Sequence, residues 1–338
     1  KVMQPEVVYV GIDVHFKKWV ICCLGSDDRP AYHTLQVKDV AKSVAELHNI
    51  ISMSYPNHLI RSVYEHGPWG QYLHNQLIKN DWQSIIENPN NVPKSTKERL
   101  HKSDKRDAFI LAKNLKRGEL KGTVLDDHDH ACFKKIVRQL RKTIDKKTAS
   151  KNRCSQIIYN HGITLKGLPS LQKLTDIAKA NPILGKDIEF QESVHDFANY
   201  TEKVKRLEEE RDPYLNKARY AAIFMQLTSI EGIGKIIASE LIAELGDAGR
   251  FPRIEAFKEF VGIAPCHSQS GASQKSYFVK SNRPKKLSQT FHLATKSLIN
   301  KNPKYKALYK ELKEKKVSHP FKKVQDAFAK EIFPVWQS

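Results

Sequence analysis

No run of apolar residues in this 338-residue chain approaches the roughly 20 that a membrane-crossing helix requires. The first residues also lack the charged, apolar and small-residue order of a secretory leader. Both absences predict an intracellular, cytoplasmic protein with no membrane partner. Cysteine is scarce and odd in number, with five residues (Cys22, Cys23, Cys132, Cys154 and Cys266) and no C-x-x-C spacing. That pattern argues against a disulfide framework and a zinc ribbon alike, and the thiols are expected to be reduced and mostly buried. The stretch DDHDHAC (126–132) holds metal-ligand residue types without a recognised ligand spacing, so it reads as a loop or the start of a helix. Negative charge is the other scarce commodity: Asp+Glu number 37 against 57 Lys+Arg, a net charge of +20. An excess of that size usually serves a polyanion, and nucleic acid is the default partner. The excess is clustered, at Lys94, Lys97, Arg99, Lys102, Lys105 and Arg106 and again between Lys275 and Lys323.

What is present describes a folded chain of two or three domains, since hydrophobic residues make up 40% and charged residues 28%. Three strand-like runs, 6–14 (EVVYVGIDV), 18–25 (KWVICCLG) and 31–37 (AYHTLQV), are separated by short polar breaks and predict an antiparallel meander. A helical pattern follows at 40–53, then a fourth strand ending at Glu65, a helix over about 69–80 and a fifth strand at 82–87 closed by Asn88-Pro89. A polar helix over about 94–118 carries Asp104 and Asp107. The order βββαβαβα is that of a ribonuclease H-like (RuvC-like) α/β domain, here assigned to 1–120. Residues 121–222 read as a long helical, coiled-coil arm suited to dimerisation, interrupted by HGITLKGLPS (161–170). Residues 223–338 read as a mostly α-helical C-terminal domain. It opens on LTSIEGIGKIIASELIAELG (227–246), whose G-I-G turn is similar to a helix-hairpin-helix that could hold a phosphate or serve the core. A helix at 255–261, a loop rich in Ser, Gly and Lys at 265–285 and further helices complete the chain.

Four carboxylates carry the chemistry. In a ribonuclease H-like fold the first strand, a mid-sheet strand and a later helix can bring acids together around two divalent cations. Asp13 closes the first strand, Glu65 closes the fourth, and Asp104 and Asp107 are three apart and so share one helix face. Hard carboxylate oxygens suit Mg²⁺ or Mn²⁺, and a metal pair stabilises both the attacking and the leaving oxygen in phosphoryl transfer. Singly, each of these acids could be a turn or surface residue. Their order on those elements is what points to a site.

GIDVH, the Y-E at a strand end, N-P after the next strand and K-S-D-x-x-D-A resemble the N-terminal domain of the DEDD transposases of bacterial insertion sequences, the family that includes the Piv invertase. SIEGIGKIIASELIAELGDAGRF and FKEFVGIAPCHSQSG are similar to that family's second domain. The resemblance implies a DNA recombinase whose DEDD carboxylates Asp13, Glu65, Asp104 and Asp107 bind Mg²⁺ and whose serine attacks DNA to leave a covalent phosphoserine link. The matching serine is Ser270, in QSG, with Ser268, Ser273 and Ser276 crowding the same loop. It further implies dimers that assemble into tetramers, composite sites, and a noncoding bridge RNA that guides the protein to element ends and target DNA in the bacterial nucleoid. Where the family carries K-x-G-N-x-x-L-R this chain reads KSNRPKKLSQ (280–289), without the glycine or the Leu-Arg pair. Three rivals stand beside this reading. They are a RuvC-like nuclease or junction resolvase that uses water, an actin-like ATPase suggested by VGIDV but lacking a later D-x-G-G loop, and a scaffold that has lost its chemistry.

Overall fold

The structure is a computed structural model that describes residues 6–93, 103–120, 122–123, 125–247, 249–264, 266–270, 273–277 and 285–337, with backbone alone at 266–270, 273–277 and 285. The chain divides into two compact units, Lys1–Leu125 and Asp126–Ser338.

The first unit is built on a mixed five-stranded sheet. Strands β1 (Val7–Val14), β2 (Lys18–Leu24) and β3 (Pro30–Gln36) form the expected antiparallel meander, and β4 (Leu59–Glu65) and β5 (Gln83–Glu87) extend it in parallel. The spatial order β3-β2-β1-β4-β5 puts β1 at the centre, antiparallel to β2 and parallel to β4. Both faces of the sheet are covered. On one face Val8, Val10, Ile12, Trp19, Ile21, Ile60 and Tyr64 pack with Val44, Leu47 and Ile51 of α1 (Val40–Ser54) and with Leu73 and Leu77 of α2 (Gly70–Ile78). On the other, Val20, Cys22 and Leu24 meet Ala108 and Ala112, while Val63 meets Ile110 and Leu111, all from α3 (Asp104–Lys116). Because strand side chains alternate with period two, the odd positions of β1 and β4 and the even positions of β2 face α3.

The long polar helix anticipated over 94–118 is described only as α3, and 94–102 lies outside the described residues, along with Lys94, Lys97, Arg99 and Lys102 of the first basic cluster. α3 starts at a side-chain cap, the Ser103 hydroxyl accepting from the Arg106 amide at 3.3 Å. Asp104 and Asp107 therefore occupy the first turn, where the positive end of the helix dipole favours acids.

The second unit is helical. α4 (His128–Asn160) and α7 (Ile188–Leu215) lie side by side over most of their length, with two short helices, α5 (Leu171–Ala180) and α6 (Pro182–Gly185), between them in sequence. Leu140 packs with Val204 and Leu207, while Cys154, Ile157 and Ile158 pack with Phe190 and Phe197, so the two run antiparallel. The DDHDHAC stretch starts α4: the Asp127 side chain caps it by accepting from the His130 amide at 2.8 Å. His130 is buried, its ring nitrogens 2.8 Å from Tyr220 Oη and 3.1 Å from the Ala243 carbonyl oxygen. It is a core residue with two hydrogen-bond partners.

Helices α8 (Ala218–Ser229), α9 (Lys235–Leu245), α10 (Ile254–Val261), α11 (Lys285–Lys301), α12 (Pro303–Glu314) and α13 (Pro320–Ile332), with a final 3₁₀ turn (Phe333–Trp336), enclose one core with Phe133 and Val137 of α4. Trp336 ties the C-terminal end into it by donating from Nε1 to the Gly246 carbonyl at 3.0 Å. The G-I-G turn between α8 and α9 sits against α11. A Cβ at Gly232 would meet the Ser297 carbonyl oxygen at 3.3 Å in a φ of +101°, and Ser297 Oγ donates to the Gly232 carbonyl at 2.6 Å. The loop expected at 265–285 contains a β-hairpin, β6 (Cys266–Ser270) paired antiparallel with β7 (Ser273–Tyr277). Alternating polar residues gave no hydrophobic strand signal there, so only backbone pairing reveals it.

Candidate metal and strand-cleavage site

Gly11 is where the site begins. It sits on the α3 face of β1, and a Cβ there would lie 2.1 Å from the Ala108 carbonyl oxygen and 2.5 Å from the Ala112 amide nitrogen. Only a glycine lets the α3 backbone approach β1 this closely. Two residues on, Asp13 points to the same face and meets the first turn of α3. Ligand atoms of Asp13, His15 and Asp104 all lie within 4.8 Å of one another. Glu65 follows Val63 by two on β4, so it too stands on the α3 face, one residue past the Ile12–Tyr64 pair of the β1–β4 register. Asp107 is buried in the first turn of α3.

The electrostatics bring all four acids into one neighbourhood. Burial pushes the Asp13 carboxyl up from its ordinary value; His15 pulls it down, and the charges of Asp104, Asp107 and Glu65 push it up again. Asp104 goes the other way. The ammonium of Lys18, 2.6 Å from Asp104 Oδ2, holds its carboxyl below the usual range. A cluster of acids close enough to repel one another calls for cationic charge, which Lys18 supplies at Asp104, while His15 Nε2 lies 3.3 Å from Asp13 Oδ2. Oxygen donors from a strand end and a helix start, with an imidazole beside them, fit a hard divalent cation.

The structure thus gathers Asp13 and Asp104 directly, with Glu65 and Asp107 in electrostatic range. Ser270 lies in the other unit, as the last residue of β6, opposite Ser273 in the hairpin register. Its side chain is outside the described residues.

Residue-by-residue reading of the sequence missed three groups. His15 was visible as the end of D-x-H. Lys18 carried no signal beyond its even position in β2. Glu87, the partner of Glu65 in the β4–β5 register, is 2% exposed and accepts from the amides of Asn88 and Gly122, each at 2.9 Å. It anchors the chain leaving the sheet. The His15 carbonyl is itself held by Trp69 Nε1 at 3.3 Å, fixing the turn after Asp13.

A central strand, its parallel neighbour and a capped helix bring acids to one edge of the sheet, an arrangement able to hold a divalent cation. Residues 10–161 match the DEDD transposase family of the IS110 type, and residues 225–310 match the Transposase IS116/IS110/IS902 family. Two separate segments of the chain are thus similar to IS110-family transposase domains. A Sinorhizobium fredii (strain NBRC 101917 / NGR234) protein named "Putative transposase y4qE" is 25% identical over 214 residues, covering 63% of this chain and 52% of that protein. The chain thus spans about half the length of the curated relative it matches. No helix among the described residues is long and apolar enough to cross a membrane.

Proposed function

We propose that the chain is a DNA transposase, a site-specific recombinase of an insertion sequence, that cuts and rejoins strands through a phosphoserine link at Ser270. In this reading the first unit is ribonuclease H-like, and Asp13, Glu65, Asp104 and Asp107 hold Mg²⁺. The observation that carries it is the meeting of Asp13 and Asp104 across 91 residues of sequence within 4.8 Å, with His15 beside them. Bound there, a divalent metal pair would supply Lewis-acid stabilisation of the charge that builds on a phosphodiester under attack.

The chain's own groups do the rest. The serine oxygen forms a bond to phosphorus as the ester bond to one sugar oxygen breaks; the serine proton leaves to a neighbouring base and the departing sugar oxygen gains one. One phosphodiester is exchanged for another, so rejoining needs no external energy source. Lys18 partly neutralises Asp104, and His15 orients Asp13. The α4–α7 pair serves as a coiled-coil arm of a domain spanning 121–222, joining protomers into dimers and tetramers, with 1–120 and 223–338 as the domains on either side. A noncoding bridge RNA selects element ends and target by base pairing while the strongly basic chain holds backbones.

The four carboxylates serve a RuvC-like nuclease or resolvase that uses water equally well. Covalent capture separates the two: the protein is incubated with labelled element-end DNA, guide RNA and Mg²⁺, then denatured. An adduct that mass spectrometry places on Ser270, and that disappears in both Ser270→Ala and Asp13→Ala, is the expected result. Cleavage that leaves no adduct and survives Ser270→Ala establishes the hydrolytic reading instead.

A further inference from the structure

Two acids on α9 are out of place for a helix in the middle of a core. Glu240 and Glu244, four residues apart, are 5% and 6% exposed. Burying two like charges on one helix face is costly: each ion loses its hydration and the two repel. The cost is met by two arginines of α4. Arg138 grips Glu244 with Nε at 2.6 Å and Nη2 at 2.7 Å, and Arg141 Nε reaches Glu240 at 2.5 Å. Thr290 of α11 adds a hydroxyl to Glu240 at 2.9 Å. Apolar residues of similar volume would join the helices at least as firmly, so stability alone does not account for the arrangement.

Its product is a pair of guanidiniums fixed in orientation. A guanidinium has five donor hydrogens, and the Arg138–Glu244 pair uses two of Arg138's. Both arginines line a cavity of about 100 Å³ that Lys142 and Lys286 also line. Neither lysine has a carboxylate within ion-pairing distance among the described residues. Asp145, the third acid on the wall, is unpaired in the same sense. Burial, then the charges of Arg138, Lys142 and Lys134, lower the Lys286 pKa from its ordinary value, against the pull of Glu244. With each arginine matched to a glutamate, the wall of the cavity keeps two lysines against one aspartate.

We propose that this cavity between α4, α9 and α11 is a built phosphate site that seats one backbone phosphodiester of a nucleic-acid strand, held by Arg138, Arg141, Lys142 and Lys286. Glu240 and Glu244 preorganise the arginines, so seating the phosphate orders few side chains. The site rests on the nucleic-acid reading above but is separate from the carboxylate cluster, being wholly within the second unit. Its role is to register a strand against the helical unit and not to react with it.

The test uses the full chain and two fluorescent probes, a short DNA duplex and an RNA hairpin, titrated over a series of salt concentrations. Lys142→Gln with Lys286→Gln leaves both arginine–glutamate pairs intact, and thermal melting should match the unsubstituted protein. The expected result is a several-fold loss of affinity and a fall of about 1 in the slope of log affinity against log salt, the change for one lost phosphate contact. Loss with the duplex alone identifies a DNA phosphate, and loss with the hairpin alone an RNA phosphate. Unchanged slopes for both probes overturn the site while leaving the recombinase reading intact. An unsubstituted protein that binds neither probe overturns both.

Discussion

Cys22 and Cys23 are neighbours in sequence that the pleat of β2 sends to opposite sides of the sheet, Cys22 against α3 and Cys23 against α1 and α2. Burial pushes both thiols up from 9.0 to about 12. A thiol that stays protonated in the fold but ionises on unfolding stabilises the protein fully below pH 9.0 and loses that contribution as pH rises toward about 12. Denaturant unfolding across that window should show stability falling with pH, and replacing both residues with Ala should flatten the fall. Identical slopes for the two proteins would contradict the assignment. Near neutrality the same burial should leave Cys22 and Cys23 slow toward iodoacetamide, while the half-buried Cys132 reacts before either of them. The sequence predicted reduced, mostly buried thiols, and the described cysteines agree; it could not say that two adjacent ones serve two different cores.

At the scale of elements, the site depends on how closely α3 lies on β1. Gly11→Ala places a methyl 2.1 Å from the Ala108 carbonyl oxygen, backbone that cannot rotate aside. The helix must shift, at a cost of about 1–3 kcal/mol or more by comparison with other overpacked cores. Asp104 and Asp107 would move with it. The expected outcome is a lowered melting temperature together with loss of strand cleavage greater than the stability change explains, measured below the variant's melting point. A variant that melts lower and cleaves normally would show that the acids tolerate displacement. The five strands and the first two helices were legible in the sequence to within a residue or two, because hydrophobic alternation and polar breaks are local signals. The β6–β7 hairpin was not, since its strands CHSQS and SQKSY have little apolar character to alternate.

For the molecule as a whole, Lys1–Leu125 carries its own sheet and its own cores on both faces, within the usual size of an independent domain. Produced alone, it should unfold in one cooperative transition and give dispersed amide resonances. A non-cooperative melt would mean that it depends on the rest of the chain. The second unit has a different logic: the base of α4 contributes Phe133 and Val137 to the same core as α8–α13, so the arm and the C-terminal helices share residues.

By itself, the sequence determined the alternation of the first five strands, the shared helix face of Asp104 and Asp107, the excess of positive charge and the residue types able to bind a hard cation. Those properties are set within a few residues by pleat, helix period and composition. The tertiary structure alone decided that Lys18 meets Asp104, that His15 turns back on Asp13, and that Arg138 and Arg141 neutralise Glu244 and Glu240. Apart from the short His15–Asp13 turn, these pairs join residues 86 to 106 positions apart, so they exist only once sheet register and helix docking have been fixed by the cores.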